Sequence, residues 1–206
     1  IYDNGTKCYG WIGDKEKCTN VVIPEGVSCI GTGAFYFCRS LTSIQIPESV
    51  TSIGERAFEY CDSLEAKLLI YDNGTKCYGW IGDKEKCKNV VIPEGVTSIG
   101  YGAFNECFSL ASIQIPNSVT SIGDHAFFEC GLKSINIPES VTSIGDWAFA
   151  GCHMTSIQIP ESVTSIGNWA FMNCCYTDII IDNFKDNVKV GGDAFKNCKS
   201  VTWLRE

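Results

Sequence analysis

The dipeptide Ile-Pro recurs at Ile23, Ile46, Ile92, Ile115, Ile137 and Ile159, and Ile1, Ile70 and Ile181 keep the same register without the proline. The steps between these nine isoleucines are 22, 23, 24, 22, 23, 22, 22 and 22 residues. So short a period is the signature of stacked coils, because no unit of that size can enclose its own apolar side. Phe-x-x-Cys falls at one place in seven units: Phe35/Cys38, Phe58/Cys61, Phe104/Cys107, Phe127/Cys130, Phe149/Cys152, Phe171/Cys174 and Phe195/Cys198. The first and fourth units lack it and are near-copies of each other. Residues 1–23 and 70–92 differ only at Thr19 against Lys88, so a block of 69 residues begins again at Ile70.

Within a unit, Leu41-x-x-Ile44-x-Ile46 alternates with period two, a strand signal. Pro47 ends the strand, having no N–H for a ladder. Val50 and Ile53 then point inward, and Gly54 permits a tight bend. Ala57, Phe58 and Cys61 lie at i, i+1 and i+4, which suits one short helical or 3-10 turn. The spacing predicts a β-rich α/β solenoid with one parallel sheet, short helical or 3-10 turns and about nine repeats of 22–24 residues, as a single domain over residues 1–206. With strands about 4.8 Å apart, eight steps give an arc on the order of 40 Å long.

Leu-x-x-Ile-x-Ile-Pro-x-x-Val-x-x-Ile-Gly-x-x-Ala-Phe-x-x-Cys resembles the BspA-like leucine-rich repeat family, found in surface proteins of anaerobic bacteria and of some parasitic protists. The resemblance covers nearly the whole chain. It implies a curved solenoid with a parallel sheet on one face, an extracellular or cell-surface location, and binding of proteins or of matrix or glycan ligands. The units carrying Lys-Cys-Tyr-Gly-Trp-Ile-Gly-Asp depart from the pattern. Such scaffolds carry function on exposed columns, so fold alone does not assign it.

Composition narrows the classes. Net charge is −8, from 16 basic and 24 acidic side chains, which argues against nucleic acid, a ligand that needs a basic face. No apolar run approaches the length of a membrane span. His125 and His153 are the only histidines, leaving little for acid–base catalysis near neutrality. No Ser, His and Asp set converges within a unit, and the register points Cys152 inward and His153 into a loop. There is no Cys-x-x-Cys, so neither a zinc nor a thioredoxin-type site is expected. The chain reads as non-enzymatic, with no cofactor and no metal.

Of the 13 cysteines, the seven in the repeating slot read as buried thiols, small hydrophobes in a column. Cys8 with Cys18, and Cys77 with Cys87, are the disulfide candidates, since each pair would staple an irregular unit. Cys29 and Cys175 fall outside the ladder.

Two outward surfaces are candidates for partner binding. One is the sheet column of Val22, Gln45, Leu69, Val91, Gln114, Asn136, Gln158 and Ile180. Of these, Gln45, Gln114, Asn136 and Gln158 are either contact residues or a solvated polar ladder. The other is aromatic: Trp147 and Trp169 should be stacked neighbours outside the turns, with His125, Phe128 and Met172 around them. A contiguous patch of this kind usually means contact. Asn4-Gly-Thr and Asn73-Gly-Thr fit the N-glycosylation pattern and equally a turn. Ile1 starts within a strand position, and Val201-Thr-Trp203-Leu204 opens another strand, with Glu206 falling where its second inward isoleucine would sit. The chain therefore reads as uncapped at both ends, either part of a longer protein or a subunit that stacks end to end into filaments.

Overall fold

The structure, a computed structural model of the chain, describes residues 5–71 and 73–205. Coils are numbered here from each recurring isoleucine, so that coil two starts at Ile23, three at Ile46, four at Ile70 and five at Ile92. Ile1, Asn4 and Glu206 lie outside the described residues.

Most coils contribute strands to two columns. The first column precedes the isoleucine, as in Asn20–Val22, Ser43–Gln45, Asn89–Val91 and Ser112–Gln114. The second follows the proline turn, as in Cys29–Ile30, Ser52–Ile53, Ser98–Ile99, Ser121–Ile122, Ser143–Ile144 and Ser165–Ile166. Neighbouring coils pair in parallel and in step, Ser43 beside Asn20 and Ile122 beside Ile99. The single sheet expected from the spacing is thus resolved into five: Pro separates the two columns by removing an N–H, the joint between coils three and four breaks both, and the first column breaks again where residues 134–136 form no strand.

The α/β description and the helical turns are also corrected. Among the described residues there is no α-helix, and the three short 3-10 helices, Lys15–Lys17, Lys84–Lys86 and Lys185–Asn187, lie elsewhere. The Ala-Phe turn does make i→i+3 bonds, such as Cys38 N–H to the Phe35 carbonyl at 3.0 Å. It cannot continue as a helix, because two residues in each coil are left-handed. The residue before Ala has φ of 56° at Arg56, 55° at His125, 58° at Trp147 and 53° at Trp169. The residue before Cys has φ of 62° at Phe37, 58° at Tyr60 and 55° at Glu106. Each such conformation costs on the order of 1 kcal/mol outside glycine. The compensation is a comb of bonds between coils. The N–H groups of Gly102, Phe104 and Glu106 donate to the carbonyls of Asp124, Ala126 and Phe128, at 2.9, 2.7 and 2.8 Å.

Inside the turns, phenylalanines stack. Phe104, Phe127, Phe149, Phe171 and Phe195 form one ladder with centroid steps of 5.3, 5.1, 5.2 and 5.8 Å, and Phe35 and Phe58 form another at 5.6 Å. The cysteines beside them are buried, apart from the half-buried Cys198. Their thiols donate to the phenylalanine carbonyl one coil back, Cys61 to Phe35 at 3.1 Å and Cys152 to Phe127 at 3.1 Å.

The stack is interrupted between coils three and four. Lys67–Tyr71 and Lys76–Ile81 form an antiparallel hairpin, and Ser52–Ile53 pairs only with the coil before it. The core divides accordingly. One cluster runs from Cys8 to Ile81 and includes Phe35 and Phe58, and the other runs from Cys77 to Ala194. Leu69, expected on the outward column, is 4% exposed and belongs to the first cluster. The extra residue that makes the third step 24 long shifts its register, and a one-residue shift turns a strand's faces over.

Candidate interaction surface

The aromatic residues grouped from the sequence do come together. His125 and Trp147 stack with centroids 6.0 Å apart and planes within 6°, and Trp147 and Trp169 follow at 5.2 Å. Phe128 meets His125 edge-on at 5.5 Å and Trp147 at 6.1 Å. Met172 is half-buried three residues beyond Trp169, whose carbonyl accepts its N–H at 3.0 Å. The left-handed backbone at positions 125, 147 and 169 repeats one orientation from coil to coil, so the rings fall in register. Trp169 remains 36% exposed.

The strip is longer than the sequence suggested. Tyr101 lies 5.3 Å from His125, and the Arg56 guanidinium sits 5.2 Å over the Tyr101 ring while donating to its hydroxyl. The Tyr101 bond raises the Arg56 pKa. Burial, then the nearby Arg56 charge, holds His125 below its ordinary range. Arg56 shares the column of His125, Trp147 and Trp169 but lies beyond coil four, whereas Tyr101 stands one place earlier in its unit, so no single column of the repeat contains both.

The sheet column is exposed at Gln45, Gln114, Asn136 and Gln158, while Val22 and Val91 are 66% and 62% exposed. The column two residues earlier is bonded to itself, Ser43 Oγ to Asn20 Oδ1 at 2.7 Å and Ser112 Oγ to Asn89 Oδ1 at 2.8 Å.

A cleft at the joint, unforeseen from the sequence, encloses about 840 Å³ including the space at its mouth. It exists because coil four has Tyr78-Gly79-Trp80-Ile81 where other coils have the Ala-Phe turn. Its walls carry Tyr60, Tyr78, Trp80 and Tyr101. Glu59 accepts from the Asn105 amide at 3.0 Å and lies 3.6 Å from Arg56, yet its buried Oε2 has no hydrogen-bond donor among the described residues. Lys84 donates to the Asn105 carbonyl at 2.6 Å. The recurrence of residues 1–23 at 70–92 was the available signal, since it removes one rung from an otherwise regular ladder.

The cysteines do not pair as expected. All 13 are free thiols, and Cys8, Cys18, Cys77 and Cys87 are buried. Cys18 faces Cys38 and Cys87 faces Cys107, their neighbours along the stack and not across the irregular unit. Burial first, and the Cys38 thiol second, push Cys18 up to about 12, and burial does the same to Cys61 and Cys77. Such thiols are poor nucleophiles. Cys152 is inward, and His153 lies beside Tyr176. Asn73 occupies a turn at the hairpin tip, exposed, with φ of 53°. No helix is long and apolar enough to cross a membrane among the described residues.

The family profile described as "BspA type Leucine rich repeat region (6 copies)" matches residues 13–78 and 74–202. The chain belongs to the BspA-type leucine-rich repeat family. Solved structures agree. A leucine rich cell surface protein from Faecalibacterium prausnitzii is 27% identical with a TM-score of 0.66, over 91% of this chain and 60% of that one. A leucine-rich repeat protein from Bacteroides ovatus is 28% identical with a TM-score of 0.57, over 92% and 61%. The T. pallidum leucine rich repeat protein is 30% identical with a TM-score of 0.52, over 86% and 75%. This BspA-type chain therefore spans about three-fifths of the length of the first two. Among curated proteins none matches it.

Proposed function

We propose that this BspA-type solenoid is a non-enzymatic scaffold that binds other macromolecules, proteins or matrix and glycan ligands, at a cell surface or outside the cell. The observation that carries the reading is the stacked strip Tyr101–His125–Trp147–Trp169, with Phe128 against it. Large rings held at fixed spacing on a rigid stack lose little entropy on contact, which suits an interface. Adhesion is the use such a surface serves. Similarity to the Faecalibacterium cell surface protein supports the location.

The test is capture of partners from cell-surface and matrix extracts by the immobilised chain, with identification by mass spectrometry. Trp147→Ala with Trp169→Ala should reduce capture at least tenfold, on the order of 1.4 kcal/mol, with an unchanged circular dichroism spectrum. Undiminished capture by the folded double variant removes the strip from consideration.

A second reading is end-to-end self-assembly into filaments. Light scattering that reports only monomers across a wide concentration range rejects it.

A further inference from the structure

In every regular pair of coils, three alternate N–H groups of one turn donate to three alternate carbonyls of the next. Gly33, Phe35 and Phe37 donate in this way to Glu55, Ala57 and Glu59, at 2.8, 2.8 and 3.0 Å. Trp147, Phe149 and Gly151 donate likewise to Asn168, Ala170 and Met172, at 3.0, 2.7 and 2.9 Å. The corresponding donors of coil three are the N–H groups of Arg56, Phe58 and Tyr60. They face coil four, which has no such turn, and they have no backbone acceptor among the described residues. All three residues line the cleft at the joint.

We propose that this cleft binds a peptide segment, whose alternate backbone carbonyls fill the comb formed by the Arg56, Phe58 and Tyr60 N–H groups. The fold itself shows the acceptor that fits: in each matched turn the carbonyls come from residues i, i+2 and i+4 of a chain, with alanine in the middle. The preferred ligand accordingly has a small central residue, which lets the two backbones approach. Tyr78, Trp80 and Tyr101 flank the comb and supply apolar contact to its side chains. The charges of the cleft favour this neutral acceptor over a free anion. Arg56 is engaged by Tyr101 and Glu59, and Lys84 by Asn105. Glu55, Glu59 and Asp62 on one wall offset Arg56, Lys76 and Lys84. This is main-chain recognition of the kind used when a peptide extends a sheet edge. The cleft shares Arg56 and Tyr101 with the aromatic strip, whereas Trp80 belongs to the cleft and Trp147 and Trp169 to the strip, so variants at those positions distinguish the two sites.

Amide hydrogen exchange of the full chain tests the comb directly. In the free protein the amides of Arg56, Phe58 and Tyr60 should exchange roughly 100-fold faster than those of Gly102, Phe104 and Glu106, which are bonded to coil six. An acetylated and amidated peptide with the sequence of residues 123–129, which supplies the acceptors for coil five, should slow the three coil-three amides and shift their NMR resonances. Trp80→Ala should weaken that binding about tenfold while leaving the fast exchange of the three amides in place. Equal protection of both sets in the free chain overturns the proposal, as does an absence of response at millimolar peptide. A response to inorganic phosphate without one to the peptide assigns the comb to anions and overturns it too.

Discussion

A cysteine beside the stacked phenylalanines answers two demands at once. It is small enough for the inner corner of the coil, and its S–H meets a phenylalanine carbonyl that points along the stack. The pattern of inward Phe and Cys was legible because it recurs seven times. The left-handed residues were not, because Arg56, His125, Trp147 and Asp193 share a backbone conformation without sharing chemistry. Neighbouring phenylalanines test the register. Phe127 has no exposed surface, and Phe127→Ala should cost about 3–5 kcal/mol in chemical denaturation. Phe128 is half-buried against His125 and Trp147, so Phe128→Ala should cost about 1 kcal/mol. Equal losses would contradict the register. His125 predicts a pH effect. Burial lowers its pKa in the folded chain, whereas the unfolded chain keeps an imidazole near its ordinary value of about 6.5. The unfolded state then binds the extra proton, so this contribution to stability is full above about pH 6.5 and is lost as pH falls through that value. Melting temperatures at pH 7.5 and 5.5 should differ less for His125→Gln than for the parent chain.

Whole coils were easier to foresee than their joints. Strand positions followed from alternation and from proline. The turn is not helical as its spacing implies, because i, i+1, i+4 spacing also arises from consecutive tight turns broken by positive φ. The hairpin of Lys67–Tyr71 with Lys76–Ile81 could not be read from a column alignment, since it reverses the direction that every other strand keeps. Its glycine separates the two copies of the repeated block. At Gly82, with φ of 81°, an added Cβ would lie 2.4 Å from the Leu64 carbonyl oxygen, whereas at Gly13, with φ of 123°, nothing lies within 4 Å. Gly82→Ala should therefore destabilise by about 2–4 kcal/mol and Gly13→Ala by about 1 kcal/mol, the backbone term alone. Thermal melts of the two variants would show it. Similar losses would mean that the joint is not packed as described.

Over the molecule as a whole, the break in the ladders leaves two cores that meet at coil four. In a stack stabilised by nearest neighbours, damage stays local unless the interface transmits it. Phe35→Ala should accelerate amide exchange through residues 20–64 while leaving residues 98–190 close to the parent, as read by mass spectrometry of proteolytic fragments. Uniform acceleration would show one cooperative unit instead. The 24-residue step and the repeated block announced that something changes near Ile70. How the chain accommodates it depends on contacts between Leu64, Ala66 and Gly82, which no periodicity records. The duplicated block has a consequence for growth. Coil four already shows a seat into which coil three fits, and residues 1–23 repeat the sequence of that seat at 22 of 23 positions. Unequal recombination between the two copies could insert or delete a whole module without inventing a new contact, and each event would change the reach of the molecule by about three strand spacings, near 14 Å. Length in such a protein is a quantity that evolution can dial in fixed increments.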